Sequence, residues 1–295
     1  MKESSSLLRA GDDEESVESS GKDAISSVIA VSMSLIVIFA SSITIIYLWK
    51  GEDGFVIERP SSALLSWQME YMDLIGANND SLTELDGEGV VVCVVDSGVD
   101  LDHPDLRGVE LRGWRDSING IEEPYDDEGH GTAMTGIIVS DGGLDGVAKG
   151  VDLLVAKAID DEGQGTDGTV SDSVDWCVQQ GADIISLSLG GSQSFGSDFF
   201  TTDELEQSVD DALDSGVFVV SSAGNDGEDD DGDVGSPGSV EDVICVGGIT
   251  RSGSIWSGSS EGDNDGRLWP NPILPRSDPD KKPAVSYTHL RAHET

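Results

Sequence analysis

Between Gly89 and Gly248 the chain alternates two textures, and this alternation restricts its fold more than any other feature. Short apolar, β-branched runs recur at 90–95 (VVVCVV), 152–159 (DLLVAKAI), 183–189 (DIISLSL), 217–222 (VFVVSS) and 242–248 (DVICVGG). Helix-like segments lie between them at 130–140, 169–180 and 203–214. A run that is apolar at successive positions, not at every second one, suits a strand covered on both faces. Strands that alternate with helices build βαβ units and hence a parallel sheet. The expected fold class is α/β, a parallel sheet flanked by helices, with no internal repeat.

Upstream the texture differs. Residues 1–24 are polar and acidic and are expected to be disordered. Ile25 to Trp49 then runs without a charged residue. As a helix it would be about 37 Å long, enough to cross a ~30 Å hydrocarbon core. Tyr47 and Trp49 suit a membrane interface, and Lys50 follows. One transmembrane helix is therefore expected at 25–49, with the N-terminus weakly favoured on the cytoplasmic side by flanking basic residues. The segment GKDAISSVIAVSMSLIVIF also resembles the N-terminal helix of archaeal pilin-like proteins, which implies processing near Lys22. Residues 50–88 read as a linker with an amphipathic piece around Trp67, Met69, Met72, Leu74 and Ile75.

Charge excludes one class of function. Fifty-eight acidic residues face 16 basic ones, a formal net charge of −42. Such a surface repels phosphate backbones, so no nucleic-acid partner is expected. The same charge suits a salt-rich setting, where screening weakens self-repulsion. Cys93, Cys177 and Cys245 each sit in an apolar run. An odd count without C-x-x-C spacing argues against a disulfide framework and a zinc site, so all three are expected to be buried free thiols.

Three segments carry chemistry. Asp96 ends the first buried run, at the sheet edge where ligands of parallel sheets bind. A carboxylate there can hold an imidazole tautomer. His130, flanked by Gly129 and Gly131, opens a helix and offers a general base of near-neutral pKa. Asn225 follows the strand-like VFVVSS and Gly224; its side-chain amide is a neutral donor suited to an oxyanion. In order and setting (DSGVDLDHPDL, GHGTAMTG, SSAGN) the three resemble the subtilase family of serine proteases over about residues 64–285.

That resemblance implies a serine endopeptidase. Asp96 and His130 would be two members of its triad, and Asn225 the oxyanion donor. Ser188, Leu189 and Gly190 would pair with substrate backbone, opposite Gly163, Gln164 and Gly165. Ser222, Ala223 and Gly224 would line the primary specificity pocket. Peptide or protein is the implied substrate, and no cofactor is required. Calcium is a possible structural ion, for which the acidic loop 226–233 offers oxygen ligands. Ala133 replaces the second histidine common in the family's H-G-T-H, and Lys149 stands where proline is common. About 40 residues separate the apolar run from Val90, too few for the separate propeptide domain of many relatives.

The family's nucleophile lies in G-T-S-x-A, and no such segment occurs in the 295 residues. Lys282 to Val285 resemble the approach to it, after which SYTHLRAHET departs in composition and is expected to continue no strand. The expected organisation is thus an incomplete catalytic domain at 89–285 and a non-native tail at 286–295. The catalytic part is expected outside the cytoplasm. Two alternatives stay open. One is a subtilase-fold binding protein without catalysis. The other is a dinucleotide-binding oxidoreductase, because Gly163 to Gly168 spell G-x-G-x-x-G, though the next strand ends without the acid that motif requires.

Overall fold

The computed structural model describes residues 28–29, 31–45, 60–79, 82, 85–189, 204–227, 233–262 and 282–288. The chain divides into two units, Met1–Arg59 and Pro60–Thr295. In the first, residues 28–29 and 31–45 are helical (α1), and large apolar side chains such as Leu35, Ile38 and Phe39 are exposed. The spanning helix expected at 25–49 is not borne out by the described residues. Among the described residues no helix is long and apolar enough to cross a membrane. The rest of the expected span, and residues 1–24, lie outside the described residues.

The second unit begins with α2 (Ser62–Leu74), at the expected amphipathic piece, though only Met72 is buried and Trp67, Met69, Leu74 and Ile75 are exposed. Its first turn is closed by Ser61, whose hydroxyl accepts from the Leu64 N–H. A sheet of seven parallel strands follows: β1 (Val91–Asp96), β2 (Leu111–Asp116), β3 (Asp152–Lys157), β4 (Ile184–Leu187), β5 (Phe218–Ser222), β6 (Ile244–Ile249) and β7 (Val285–Thr288). Their order is β2-β3-β1-β4-β5-β6-β7. The helices between them are α3 (His130–Val139), α4 (Asp167–Gln179) and α5 (Glu204–Asp214). Thr166 and Thr169 start α4 reciprocally, each hydroxyl accepting from the other's N–H.

Strands β1 and β3 are buried on both faces, as their composition requires, whereas β4, β5 and β6 alternate buried with half-buried or exposed positions. Cys93 and Val95 of β1 point with Leu154, Ile185 and Val219 toward α4 and α5, where they meet Val174 and Val209. Val94, Leu153 and Val155 point the other way, onto Val139 of α3. Two strands escape the sequence reading. β2 (LRGWRD) is a half-exposed edge strand, so it lacks the continuous apolar run of its neighbours. β7 corrects the expectation for the tail: Ser286, Tyr287 and Thr288 continue the strand, paired with Gly247, Gly248 and Ile249. Backbone groups make that ladder, so a change in composition does not stop it. Residues 289–295 lie outside the described residues.

The cysteine expectation is corrected for two of the three residues. Cys93 in β1 and Cys177 in α4 form a disulfide, with Cα atoms 5.9 Å apart. Cys245 is the buried free thiol, and burial pushes its pKa up to about 11, which leaves it inert.

Candidate active site

From β1 the chain goes to β2 and β3 on one side, then crosses to β4 on the other. The carboxyl end of β1 is thus the switch point of the sheet, where an open α/β fold leaves a crevice. Asp96 is the last residue of β1. Its side chain is 2% exposed, and Oδ1 lies 2.8 Å from Nδ1 of His130, the first residue of α3. A carboxylate has no proton to give, so Nδ1 carries the hydrogen and Nε2 keeps its lone pair. The imidazole is half-buried and reachable, at 41% exposure. Oδ1 also accepts from the Ser97 N–H at 2.7 Å, which fixes the carboxylate's orientation.

Local sequence explains how strand end and helix start come so close. A Cβ on Gly131 would sit 2.2 Å from the Gly98 carbonyl oxygen, and one on Gly98 would sit 2.1 Å from the Tyr125 carbonyl oxygen. Two backbones therefore touch where both residues lack a side chain. The first amide groups of α3 would be orphaned, since Gly129 provides no side-chain cap. Three different side chains satisfy them. Glu128 Oε2 accepts from His130 at 2.7 Å, Ser97 Oγ from Gly131 at 2.8 Å, and Asp126 Oδ2 from Thr132 at 2.8 Å. Ser97 in turn donates its hydroxyl to Asp126 Oδ1 at 2.9 Å.

Sequence reasoning passes over Ser97, Asp126, Glu128 and Thr132. The available signal is acid just ahead of a helix start, which favours the N-terminal end of the helix dipole. Burial pushes the Asp126 carboxyl up, but bonds from the Thr132 hydroxyl, the Gly129 and Thr132 amides and the Ser97 hydroxyl outweigh it and hold its pKa below the ordinary value. The His130 imidazole is raised above its ordinary value of about 6.5, first by the hydrogen bond to Asp96. Partial burial works the other way, and the charges of Asp96, Glu128 and Asp126 add to the rise.

The remaining sequence candidates lie on the same carboxyl edge of the sheet. The Ser222 hydroxyl donates to the Leu189 carbonyl at 3.0 Å, which joins two of the segments singled out by sequence. Ser188 is half-buried beside Leu189; Gly190 lies outside the described residues. Ala223 is buried, and Gly224 accepts from the Ser260 N–H at 3.1 Å. Asn225 is exposed in the turn that follows, and the next amide, of Asp226, donates to Ser260 Oγ at 3.1 Å. The 256–260 segment thus clamps the turn from both sides of Asn225. Gly163, Gln164 and Gly165 form an exposed loop between β3 and α4; Asp160 Oδ1 closes it by accepting from Gln164 at 2.8 Å. Among the described residues no group of three or more His, Cys, Asp or Glu is placed to hold a metal ion. Of the acidic loop, residues 228–232 lie outside the described residues.

Comparison with known proteins points to one family. The model of the subtilase family matches residues 87–276. Serine protease AprX of Bacillus subtilis (strain 168) is 38% identical over 207 residues, 65% of this chain and 45% of that protein. The intracellular serine protease of Paenibacillus polymyxa is 36% identical over 184 residues, 59% of this chain and 54% of that protein. The chain spans about half the length of these curated relatives. The crystal structure of a cold adapted subtilisin-like serine proteinase superposes with a TM-score of 0.52 at 33% identity, covering 60% of this chain and 61% of that one. The matched span includes Gly163–Gly168, which leaves the dinucleotide reading of that motif without support.

Proposed function

The chain belongs to the subtilase family, and from that premise we propose that its site serves a serine endopeptidase that hydrolyses peptide bonds. The single observation that carries the proposal is the 2.8 Å bond between Asp96 and His130 at the switch point of the sheet. Nε2 of His130 takes the proton of a serine hydroxyl as the oxygen attacks the scissile carbonyl, and returns it to the leaving amine. Asp96 orients the ring and stabilises the imidazolium. Asn225 donates to the tetrahedral oxyanion. Extended substrate lies between Ser188–Leu189–Gly190 and Gly163–Gln164–Gly165, with its side chain toward Ser222, Ala223 and Gly224. The Ser222 to Leu189 bond supports that placement because it joins pocket and strand. No serine here stands in G-T-S-x-A, so the nucleophile is not assigned to one of the 295 residues. Peptide turnover by the gene product bearing that segment tests the reading, with Asn225→Ala as the internal check. Asn225→Ala is expected to lower kcat by about 10²–10³ with little change in KM. Peptide binding without turnover by the parent protein would favour the non-catalytic alternative instead.

The second part of the proposal is location: the uncharged run 25–49 tethers the protein, and the catalytic unit lies outside the cytoplasm. Support comes from the exposed apolar side chains of α1 and from the Cys93–Cys177 disulfide, a bond that persists in oxidising compartments. Added protease should digest the catalytic unit on intact cells. A unit that stays protected until the cells are lysed would overturn the placement.

A further inference from the structure

We infer that Lys157 is a positioning residue for the Asp96–His130 pair, its ammonium tying the strand end that carries Asp96 to the loop that launches the helix of His130. Lys157 ends β3 and is fully buried, with 0% exposure. A lysine in that position is costly unless each of its three N–H groups finds an acceptor. All three do. Nζ donates to the Ser97 carbonyl at 2.6 Å, to Asp127 Oδ1 at 2.6 Å and to the Ile159 carbonyl at 2.7 Å. The ammonium also lies 5.1 Å from the ring centroid of Tyr125.

The acceptors belong to three separate segments. Ser97 directly follows Asp96, Asp127 stands three residues before His130, and Ile159 is where the chain leaves β3. The backbone completes the tie, for the Ala158 and Ile159 amides both donate to the Asp96 carbonyl, at 2.8 and 3.2 Å. An aliphatic side chain of the same volume would avoid burying a charge but would leave the Ser97 and Ile159 carbonyls and the Asp127 carboxylate without this donor. What the ammonium adds is direction, a set distance between the two carriers of the pair. It touches neither the Asp96 carboxylate nor the imidazole, so its part is positioning.

This inference rests on reading Asp96 and His130 as the catalytic pair, but its test needs no turnover, so the two can fail separately. The readout is NMR of the 295-residue chain with labelled histidine: the downfield Hδ1 resonance of the His130–Asp96 bond, and the titration of His130. His130→Gln assigns both signals. The charges facing His130 are Asp96, Glu128 and Asp126. In Lys157→Met, loss of a positive charge alone would raise the titration midpoint, whereas loss of positioning weakens the bond to Asp96 and lowers it. The expected result is a lower midpoint and loss of the downfield resonance; a raised or unchanged midpoint with the resonance kept would overturn the inference. Should Lys157→Met fail to fold, the pair Asp127→Asn and Asp127→Ala decides. Both remove the same charge, but only alanine removes the acceptor. Asp127→Ala should show the lower midpoint and the lost resonance, and coincident curves for the two would overturn the inference.

Discussion

In a form of the protein that carries a G-T-S-x-A segment, His130→Ala is expected to lower peptide turnover by about 10⁴-fold or more, with the fold unchanged. The imidazole is the group whose Nε2 lone pair faces away from Asp96, and the structure ties its other nitrogen down at 2.8 Å. Asp96→Asn should cost on the same order, for a different reason. An amide can present its N–H to Nδ1, which moves the ring proton to Nε2 and abolishes the base. The pH profile adds an independent check. The neutral imidazole is the active form, and the Asp96 bond raises its pKa, so the acid limb of kcat/KM should lie above about 6.5. Asp96→Asn should move any residual limb downward. The stability linkage has the matching sign. A raised folded pKa means that the contribution of His130 is fully present below about 6.5 and is lost as pH rises through the folded value. Normal activity in His130→Ala, or an acid limb at or below 6.5, would refute the assignment.

Opening the Cys93–Cys177 bond is expected to lower the stability of the unit Pro60–Thr295 by roughly 4–5 kcal/mol, the loop-closure value for a separation of 84 residues. That is a large share of the 5–15 kcal/mol typical of a folded domain. The bond joins the central strand to the helix that covers it, with both sulfurs fully buried, so nothing loosens locally to absorb its loss. Thiol titration in denaturant should count one reactive group before reduction, Cys245, and three after. Melts with and without reductant then give the size of the effect. Three thiols without reductant, or equal melting temperatures, would sink the prediction, and would also remove the disulfide's support for an extracytoplasmic location.

Much of this protein is determined locally. Strands β1 and β3 are legible because a strand covered on both faces must be apolar at successive positions; β4, β5 and β6 bury alternate residues, yet each still stands out as a short β-branched run by itself. Asp96 and His130 are legible for a related reason: a polar residue that ends an apolar run, and an imidazole between two glycines, are visible without knowledge of any partner. Strand β2 was not legible, since an edge strand with one neighbour needs no apolar run. The pairing of Cys93 with Cys177 and not Cys245 depends on which helix lies over β1, and three apolar surroundings look alike along the chain. The caps of α3 come from Ser97, Asp126 and Glu128, on two segments that meet only because Gly98 and Gly131 let their backbones touch. The tertiary structure alone decides the role of Lys157. In the sequence it interrupts the apolar run 152–159 as an ordinary charged residue; in the fold it is buried, and that charge is tolerable because acceptors from two distant segments, at Ser97 and Asp127, join the nearby Ile159 carbonyl around it.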